Sequence, residues 1–272
     1  MLVRTKQELR EEVARLTGSI GLVMTMGALH EGHLNLVRRA REECEHVVVS
    51  IYVNPLQFGP GEDFDAYPRT LEADLELLGD VDIVFAPSDE EMYGSGPLVR
   101  IDPGELAGKF EGKTRPTHFA GVAQVVTKVI NLVRPDKAFF GQKDAQQLAL
   151  VRLLNRELDL GTEIVAVPIA RSESGLALSS RNSYLSEEEQ ERALALHEAL
   201  LEARAEGAAG ASAEQVEENL RQRLSAAPGV QLDYAAVVDP VTFGPAGTAG
   251  LAIVAAWVGP TRLIDNMEVT CG

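Results

Sequence analysis

A chain of 272 residues, 45% hydrophobic with mixed charges, has the apolar content of a folded globular protein and excludes intrinsic disorder. Its net charge of −16 argues against a long nucleic-acid partner, which needs clustered Lys and Arg. It does not exclude a small anion in a cleft, because salt screens other charges beyond about 8–10 Å. The longest apolar runs, such as HVVVSIYV, fall far short of a membrane span, and two cysteines, Cys44 and Cys271, do not make a disulfide framework. With no apolar leader and cleavage site at the N-terminus, a cytoplasmic enzyme without a membrane partner is expected.

MLVRTKQELREEVARL reads as an amphipathic helix start. SIGLVMT (19–25) and HVVVSIYV (46–53) are short, β-branched and bounded by breakers, as buried parallel strands are. LNLVRRAREEC (34–44) lies between them with helical spacing, giving a β-α-β unit. HVVVSIYV fits a buried strand and equally a subunit interface. The unit repeats, with the helix LEADLELLGD (71–80) leading into the strand VDIVFAP (81–87). GVAQVVTKVINLVRP (121–135) sets Val122, Val125, Val126, Val129, Ile130 and Val133 on one helical face and breaks at Pro135. The strand DKAFFG (136–141), the helix AQQLALVRLLNREL (145–158) and the strand EIVAVPI (163–169) follow. The sum is an α/β fold, an open, doubly wound parallel sheet, whose ligands bind at the carboxyl ends of the strands. Near residue 170 the pattern changes. Ser186 and Glu189 form a capping box heading a long helix, SAEQVEENLRQRLSAA is a second helix, and VQLDYAAVVD, LAIVAAWVG and TRLIDNMEV are strand-like. Two domains are expected, 1–169 and a smaller C-terminal α+β domain, 170–272.

TMGALHEGHLNLV (25–37) sets Gly27, His30, Gly32 and His33 between a strand ending near Met24 and a helix beginning near His33 or Leu34. Glycine lets the backbone approach a ligand, open N–H groups at a helix start favour an anion, and histidines three apart share a face. A strand-to-helix turn with surface histidines accounts for the segment equally. A zinc site is disfavoured, because no Cys or His cluster completes a ligand set. VNPLQFGPGEDFDAYPRTLEADL (53–75) is a long connection in which Gln57 follows a strand and Asp74 lies in a helix; each alone reads as a solvated side chain. FEGKTRPTHFAGV (110–122), with Lys113, Arg115 and His118, fits a basic loop over a cleft or a polar connection. FFGQKDAQQL (139–148) repeats the first pattern of strand end, Gly141 and helix start. Lys143 there opposes the helix dipole unless an anion is shared, Asp144 fits an N-cap, and Gln147 lies one turn on. SGLALSSRNSYLS (174–186) gathers Ser179, Ser180, Arg181 and Asn182 at the junction. Ser and Asn are common turn formers, whereas Arg181 can hold a phosphate with two donors. Together these stretches argue for a bound nucleotide or another polyphosphate.

In order and spacing, TMGALHEGHLNLV, VNPLQFG, EDFDAYPRTLEAD, RPTHFAGV, FFGQKDAQQL and LALSSRNSYLS resemble the pantothenate synthetase (pantoate–β-alanine ligase) family over nearly the whole chain. His-x-Gly-His alone marks only the wider nucleotidylyltransferase superfamily. The resemblance implies a Rossmann-like nucleotidyltransferase fold and ATP-dependent activation of (R)-pantoate to pantoyl adenylate, with release of pyrophosphate. β-Alanine then attacks the adenylate to give pantothenate and AMP. The implied ATP site comprises Met26, Gly27, Ala28, Leu29, His30, Glu31, Gly32 and His33; Gly141, Gln142, Lys143 and Asp144; Ala170; and Leu178, Ser179, Ser180 and Arg181. His30, His33, Lys143, Ser180 and Arg181 are the implied catalytic residues, with His33 as proton donor. Gln57 and Gln147 would hold pantoate, Gln57 also serving β-alanine, and Asp74 would bind magnesium. ATP and Mg²⁺ are the implied cofactors, a homodimer the implied assembly, and the C-terminal domain a lid. Met24 stands where the family usually has Pro, Ser174 replaces a frequent Asp and Leu178 a frequent Met; none removes a catalytic group. A nucleotidylyltransferase acting on a phosphate acceptor is the nearest alternative, but would need no Gln57/Gln147 pair. A non-catalytic nucleotide-binding module is opposed by intact His33, Lys143 and Arg181.

Overall fold

The computed structural model describes all 272 residues, which form two compact units. The first comprises Met1–Gln142 and Leu150–Pro168, the second Lys143–Ala149 and Ile169–Gly272. In chain order the first unit runs β1 (Leu2–Val3), α1 (Lys6–Val13), β2 (Ile20–Thr25), α2 (Glu31–Glu43), β3 (His46–Ile51), α3 (Leu71–Leu78), β4 (Ile83–Phe85), α4 (Asp89–Tyr93), α5 (Phe110–Thr114), α6 (His118–Val133), β5 (Lys137–Gly141), α7 (Ala145–Glu157) and β6 (Glu163–Val167). The first turns of α7 group with the second unit.

The six strands form one all-parallel sheet in the order β1-β4-β3-β2-β5-β6. From β2 the chain steps outward to β3 and β4, then returns to lay β5 on the other side of β2. Strand order therefore reverses between β2 and β5, and the carboxyl ends of these two strands bound the crevice where such sheets take ligands. Thr25 and Gly141 are those ends. The β-branched run in β3 lies between β2 and β4, with Val47, Val48 and Val49 buried, so it is an interior strand and not an interface. All six apolar residues expected on one face of α6 are buried. The opening segment differs from its reading as a helix start: Leu2 and Val3 pair with Val84 and Phe85 before Thr5 caps α1. A two-residue edge strand carries no period of its own to reveal it.

The second unit adds α8 (Glu187–Ala208), α9 (Ala213–Ala226), β7 (Val230–Val238), β8 (Ala249–Val258) and β9 (Thr261–Thr270). Its strands form an antiparallel sheet in chain order. Leu196 and Leu200 of α8 and Leu220 and Leu224 of α9 pack with Ala252 and Val254 of β8 in one buried cluster. Ser186 and Glu189 make the expected reciprocal cap of α8. The chain divides after Pro168, and residues 143–149 join this second unit, whereas the sequence assigned them to the sheet domain. One cause is visible: the Asn266 side chain on β9 donates to the Lys143 carbonyl at 2.9 Å.

Candidate active site

The turn after β2 is built by glycine and a left-handed alanine. Gly27 has φ +81° and Ala28 φ +50°. The second of these costs roughly 1–2 kcal/mol in a residue with a Cβ, so the surroundings must hold it. Three contacts do. The Gly27 N–H donates to the Thr25 hydroxyl at 3.2 Å, and the Ala28 and Leu29 N–H groups donate to Asp74 Oδ2 and Oδ1 at 3.1 and 2.8 Å. Helix α2 then starts at Glu31 with His30 as N-cap, two to three residues earlier than the glycine pattern indicated. His30 Nδ1 accepts the Gly32 N–H at 3.1 Å, and His33 Nδ1 accepts the His30 N–H at 3.3 Å. The pair is a capping box made of two histidines in place of Ser and Glu. Its rings stand 4.1 Å apart, centroid to centroid. With Nδ1 acting as acceptor, the neutral form of either ring carries its proton on Nε2. These bonds also revise the expected open helix end: the Gly32 N–H already has a protein acceptor, as do the Ala28 and Leu29 N–H groups of the preceding turn.

Gln57 ends a one-turn 3₁₀ segment, Pro55–Gln57, after β3, and is 6% exposed. Its reading as a solvated loop amide is replaced by a locked one. Asn54, 1% exposed, donates through Nδ2 to Gln57 Oε1 at 3.1 Å and to the Gly121 carbonyl at 3.0 Å. Asn54 Oδ1 in turn accepts from the Leu56 N–H and the Tyr93 hydroxyl. Burial pushes the Tyr93 phenol pKa up, which keeps it a donor. With its oxygen engaged, Gln57 directs Nε2 at Met26 Sδ, 2.8 Å away, toward the glycine turn. Gly121 on α6 has no room for a side chain, since a Cβ there would lie 2.4 Å from the Gln57 backbone nitrogen. His118 Nδ1 lies 3.0 Å from the Gln57 carbonyl. Arg115 grips Glu62 at 2.6 and 3.1 Å; burial works against ionisation of that carboxylate, but the guanidinium outweighs it and the Glu62 pKa falls. The 110–122 segment is thus a clasp that fixes the Gln57 connection.

In the second unit Lys143 lies in a 3₁₀ turn, Gln142–Asp144, directly before α7, with its Nζ 4.0 Å from the half-exposed Asp144 carboxylate. Gln147 follows on α7, so the two glutamines belong to different units. Ala170 and Leu178 face each other across a hairpin closed by the Leu178 N–H to the Ala170 carbonyl at 2.9 Å, with Arg171 bridged to Ala177. Ser174 sits at the exposed hairpin tip, its hydroxyl 2.8 Å from that of Ser172. Ser179 caps the 3₁₀ turn Ser180–Tyr184, accepting the Arg181 N–H at 3.3 Å, and so places Ser180 and Arg181 in its first turn.

Asp74 does not fit a magnesium ligand. It is 1% exposed, and both its oxygens accept from the glycine turn, with the Thr70 hydroxyl adding a third donor at 3.3 Å. No group of three His, Cys, Asp or Glu side chains gathers to hold a metal ion. The carboxylate braces the turn instead. Asn54, Tyr93 and Asp74 in this bracing role escaped the sequence reading, because each acts through partners 39 to 67 residues away or looks like an ordinary turn former.

No helix is long and apolar enough to cross a membrane. The model of the pantoate–β-alanine ligase family matches residues 1–268. A pantothenate synthetase of Acidothermus cellulolyticus is 52% identical over 278 residues, covering 99% of this chain and 91% of that one. The crystal structure of pantothenate synthetase from Thermus thermophilus superposes with a TM-score of 0.92 at 47% identity over 99% of both chains. The Francisella tularensis pantoate–β-alanine ligase, solved in complex with β,γ-ATP and β-alanine, gives 0.82 at 33% identity, covering 98% of this chain and 97% of that one. With its six-stranded switch-point sheet, its paired histidines and its small C-terminal unit, this chain belongs to the pantoate–β-alanine ligase family.

Proposed function

We propose that the residues assembled at the β2–β5 switch point and on the second unit carry out adenylation of pantoate and its transfer to β-alanine. The reaction is that of the family: pantoate, β-alanine and ATP give pantothenate, AMP and pyrophosphate. The family relationship disfavours transfer to a phosphate acceptor and a non-catalytic nucleotide module. The observation that carries the residue assignment is the His30–His33 pair, whose Nδ1 atoms are both engaged by backbone N–H groups at the carboxyl end of β2. Such rings offer Nε2 donors to phosphoryl oxygens without being able to chelate through Nδ1.

A carboxylate acylates an amine only after its oxygen becomes part of a good leaving group. The pantoate carboxylate attacks the α-phosphorus of ATP in line with departing pyrophosphate. Negative charge builds on the phosphoryl oxygens, and the site must meet it with fixed donors. His30 and His33 supply two, with the dipole of the thirteen-residue α2 behind them. Lys143, Ser180 and Arg181 supply others on the second unit. His33 acts as donor to the leaving group. The locked amide of Gln57 offers Nε2–H to a lone pair of pantoate, so it selects a carboxylate or hydroxyl oxygen at that point. Gln147 is the second pantoate amide, and the Ala170–Leu178 hairpin takes the adenosine. Magnesium enters as part of the MgATP substrate, since the donor set offers it no cage. In the second step the β-alanine amine attacks the pantoyl carbonyl and AMP leaves.

AMP release tests this directly. Pantoate alone should give one equivalent of bound adenylate with pyrophosphate, and β-alanine should then make AMP release catalytic. AMP release without pantoate would overturn the reading. Sedimentation at twice the 29.3 kDa chain mass is the result expected for the homodimer.

A further inference from the structure

Two neighbouring residues of β9, Asp265 and Asn266, are polar and buried, at 4% and 6% exposure, far along the chain from every residue assigned to the reaction. Successive strand side chains point to opposite faces of a sheet. Asp265 shares its face with Leu263 and Val269, which belong to the core beneath α8. There it forms a two-bond pair with Arg171, at 2.7 and 2.9 Å. Arg171 also donates to the Gly175 carbonyl at 3.0 Å, so a single guanidinium ties β9 to both arms of the hairpin that carries Ala170 and Leu178. On the other face, the Asn266 side chain donates to the Lys143 carbonyl at 2.9 Å, and Asp265 Oδ1 accepts the Asn266 N–H at 2.7 Å, linking the two.

We infer that Asp265 and Asn266 are positioning residues for the nucleotide: Asp265 sets the adenosine hairpin through Arg171, and Asn266 sets the backbone root of Lys143. The inference rests on the assignment of phosphate chemistry to Lys143 made above. Lysine has a long, flexible stem, and its ammonium acts at a defined point only if its root is fixed. Residues 142–144 form a single 3₁₀ turn, too short to carry the repeated hydrogen-bond ladder of a longer helix. A side-chain amide from a strand embedded in the second unit's sheet supplies that restraint. The division of labour predicts different kinetics for adjacent residues. Losing Asn266 lowers the rate of adenylate formation, because Lys143 acts on charge that develops in the transition state. Losing Asp265 raises KM for ATP, because adenosine contacts act in ground and transition states alike.

A double-mutant cycle with single-turnover pyrophosphate release tests this. Asn266→Ala should slow adenylate formation by about tenfold or more with KM for ATP within about twofold. In a Lys143→Ala background the same change should have no further effect, because its route of action is gone. Asp265→Asn should raise KM for ATP by about fivefold or more while single-turnover rates at saturation stay near wild type. Equal slowing by Asn266→Ala with and without Lys143 would overturn the inference and mark Asn266 as merely structural, as would an unchanged rate in the Asn266→Ala single variant. A Lys143→Ala enzyme with wild-type rate would instead remove the Lys143 assignment on which the inference stands. Asn266→Asp, the same size but without the donor, repeats the test should the alanine variant unfold; loss of the fold in both would also overturn it.

Discussion

Replacing Asp74 by Asn keeps the shape of the side chain and changes one oxygen into a donor. If the remaining oxygen keeps the Leu29 N–H at 2.8 Å, the new amide group faces the Ala28 N–H at 3.1 Å, donor against donor. One hydrogen bond to a charged acceptor is lost, roughly 1.5–3 kcal/mol. The left-handed Ala28, itself roughly 1–2 kcal/mol uphill, loses the contact that holds it. Part of that strain relaxes with the turn, so the expected loss is about 2–3 kcal/mol of unfolding free energy, read as a lower urea midpoint at unchanged m. The loosened turn leads into His30 and His33, and kcat/KM for ATP should fall about tenfold or more, equivalent to about 1.4 kcal/mol of transition-state stabilisation. The magnesium concentration for half-maximal rate at saturating ATP should stay at its wild-type value, because this carboxylate spends its oxygens on the backbone. A wild-type urea midpoint together with a magnesium requirement raised about tenfold would refute the bracing argument and make Asp74 a metal ligand.

Asn54→Ala should lower kcat/KM for pantoate by about tenfold or more with KM for ATP little changed, since it releases the Gln57 amide without touching the nucleotide; unaltered pantoate kinetics would show that Gln57 needs no fixing. His33→Ala and Lys143→Ala should each slow adenylate formation by about tenfold or more with the fold intact, as loss of one donor to a developing oxyanion typically costs roughly 3–4 kcal/mol; near-wild-type single-turnover rates would sink both roles. Both ring nitrogens of His46 face oxygens, Asp82 Oδ1 at 2.8 Å and Thr17 O at 3.0 Å, so the imidazolium is favoured and the Asp82 bond raises its pKa. A raised pKa contributes stability in full below the unfolded value, about 6.5, and loses it as pH rises through the higher folded value. The melting-temperature gap between wild type and His46→Ala should therefore be widest near pH 5–6 and narrow toward pH 9; a gap that stays constant across this range would contradict it.

Much of the fold was legible in local pattern. The β-branched runs of β2 and β3 and the apolar face of α6 are strong signals, because burial on a fixed period leaves a trace in sequence. The capping box at Ser186 is equally local. The site was legible as a set of residue types: glycines beside histidines after one strand, and a lysine where the helix dipole disfavours it. What each residue does was less so. Gln57, read alone, is a loop amide, and only Asn54 and Met26 show that its oxygen is tied and its nitrogen turned toward the glycine turn. The 110–122 segment was ambiguous by composition, and its role as a clasp needs Glu62, fifty-three residues away.

The sequence by itself determined the alternating α/β order, the separate C-terminal α+β region, and the family to which the HxGH, Gln and SSRN segments belong, because these follow from local periodicity and ordered motifs. Only the tertiary structure decided strand order, and with it that the two glycine turns flank the switch point between β2 and β5. It alone showed both Asp74 oxygens accepting from the glycine turn, placed Lys143 with the second unit, and connected it to Asn266. Those facts depend on hydrogen bonds between residues 46 and 123 positions apart, for which a linear pattern carries no signal.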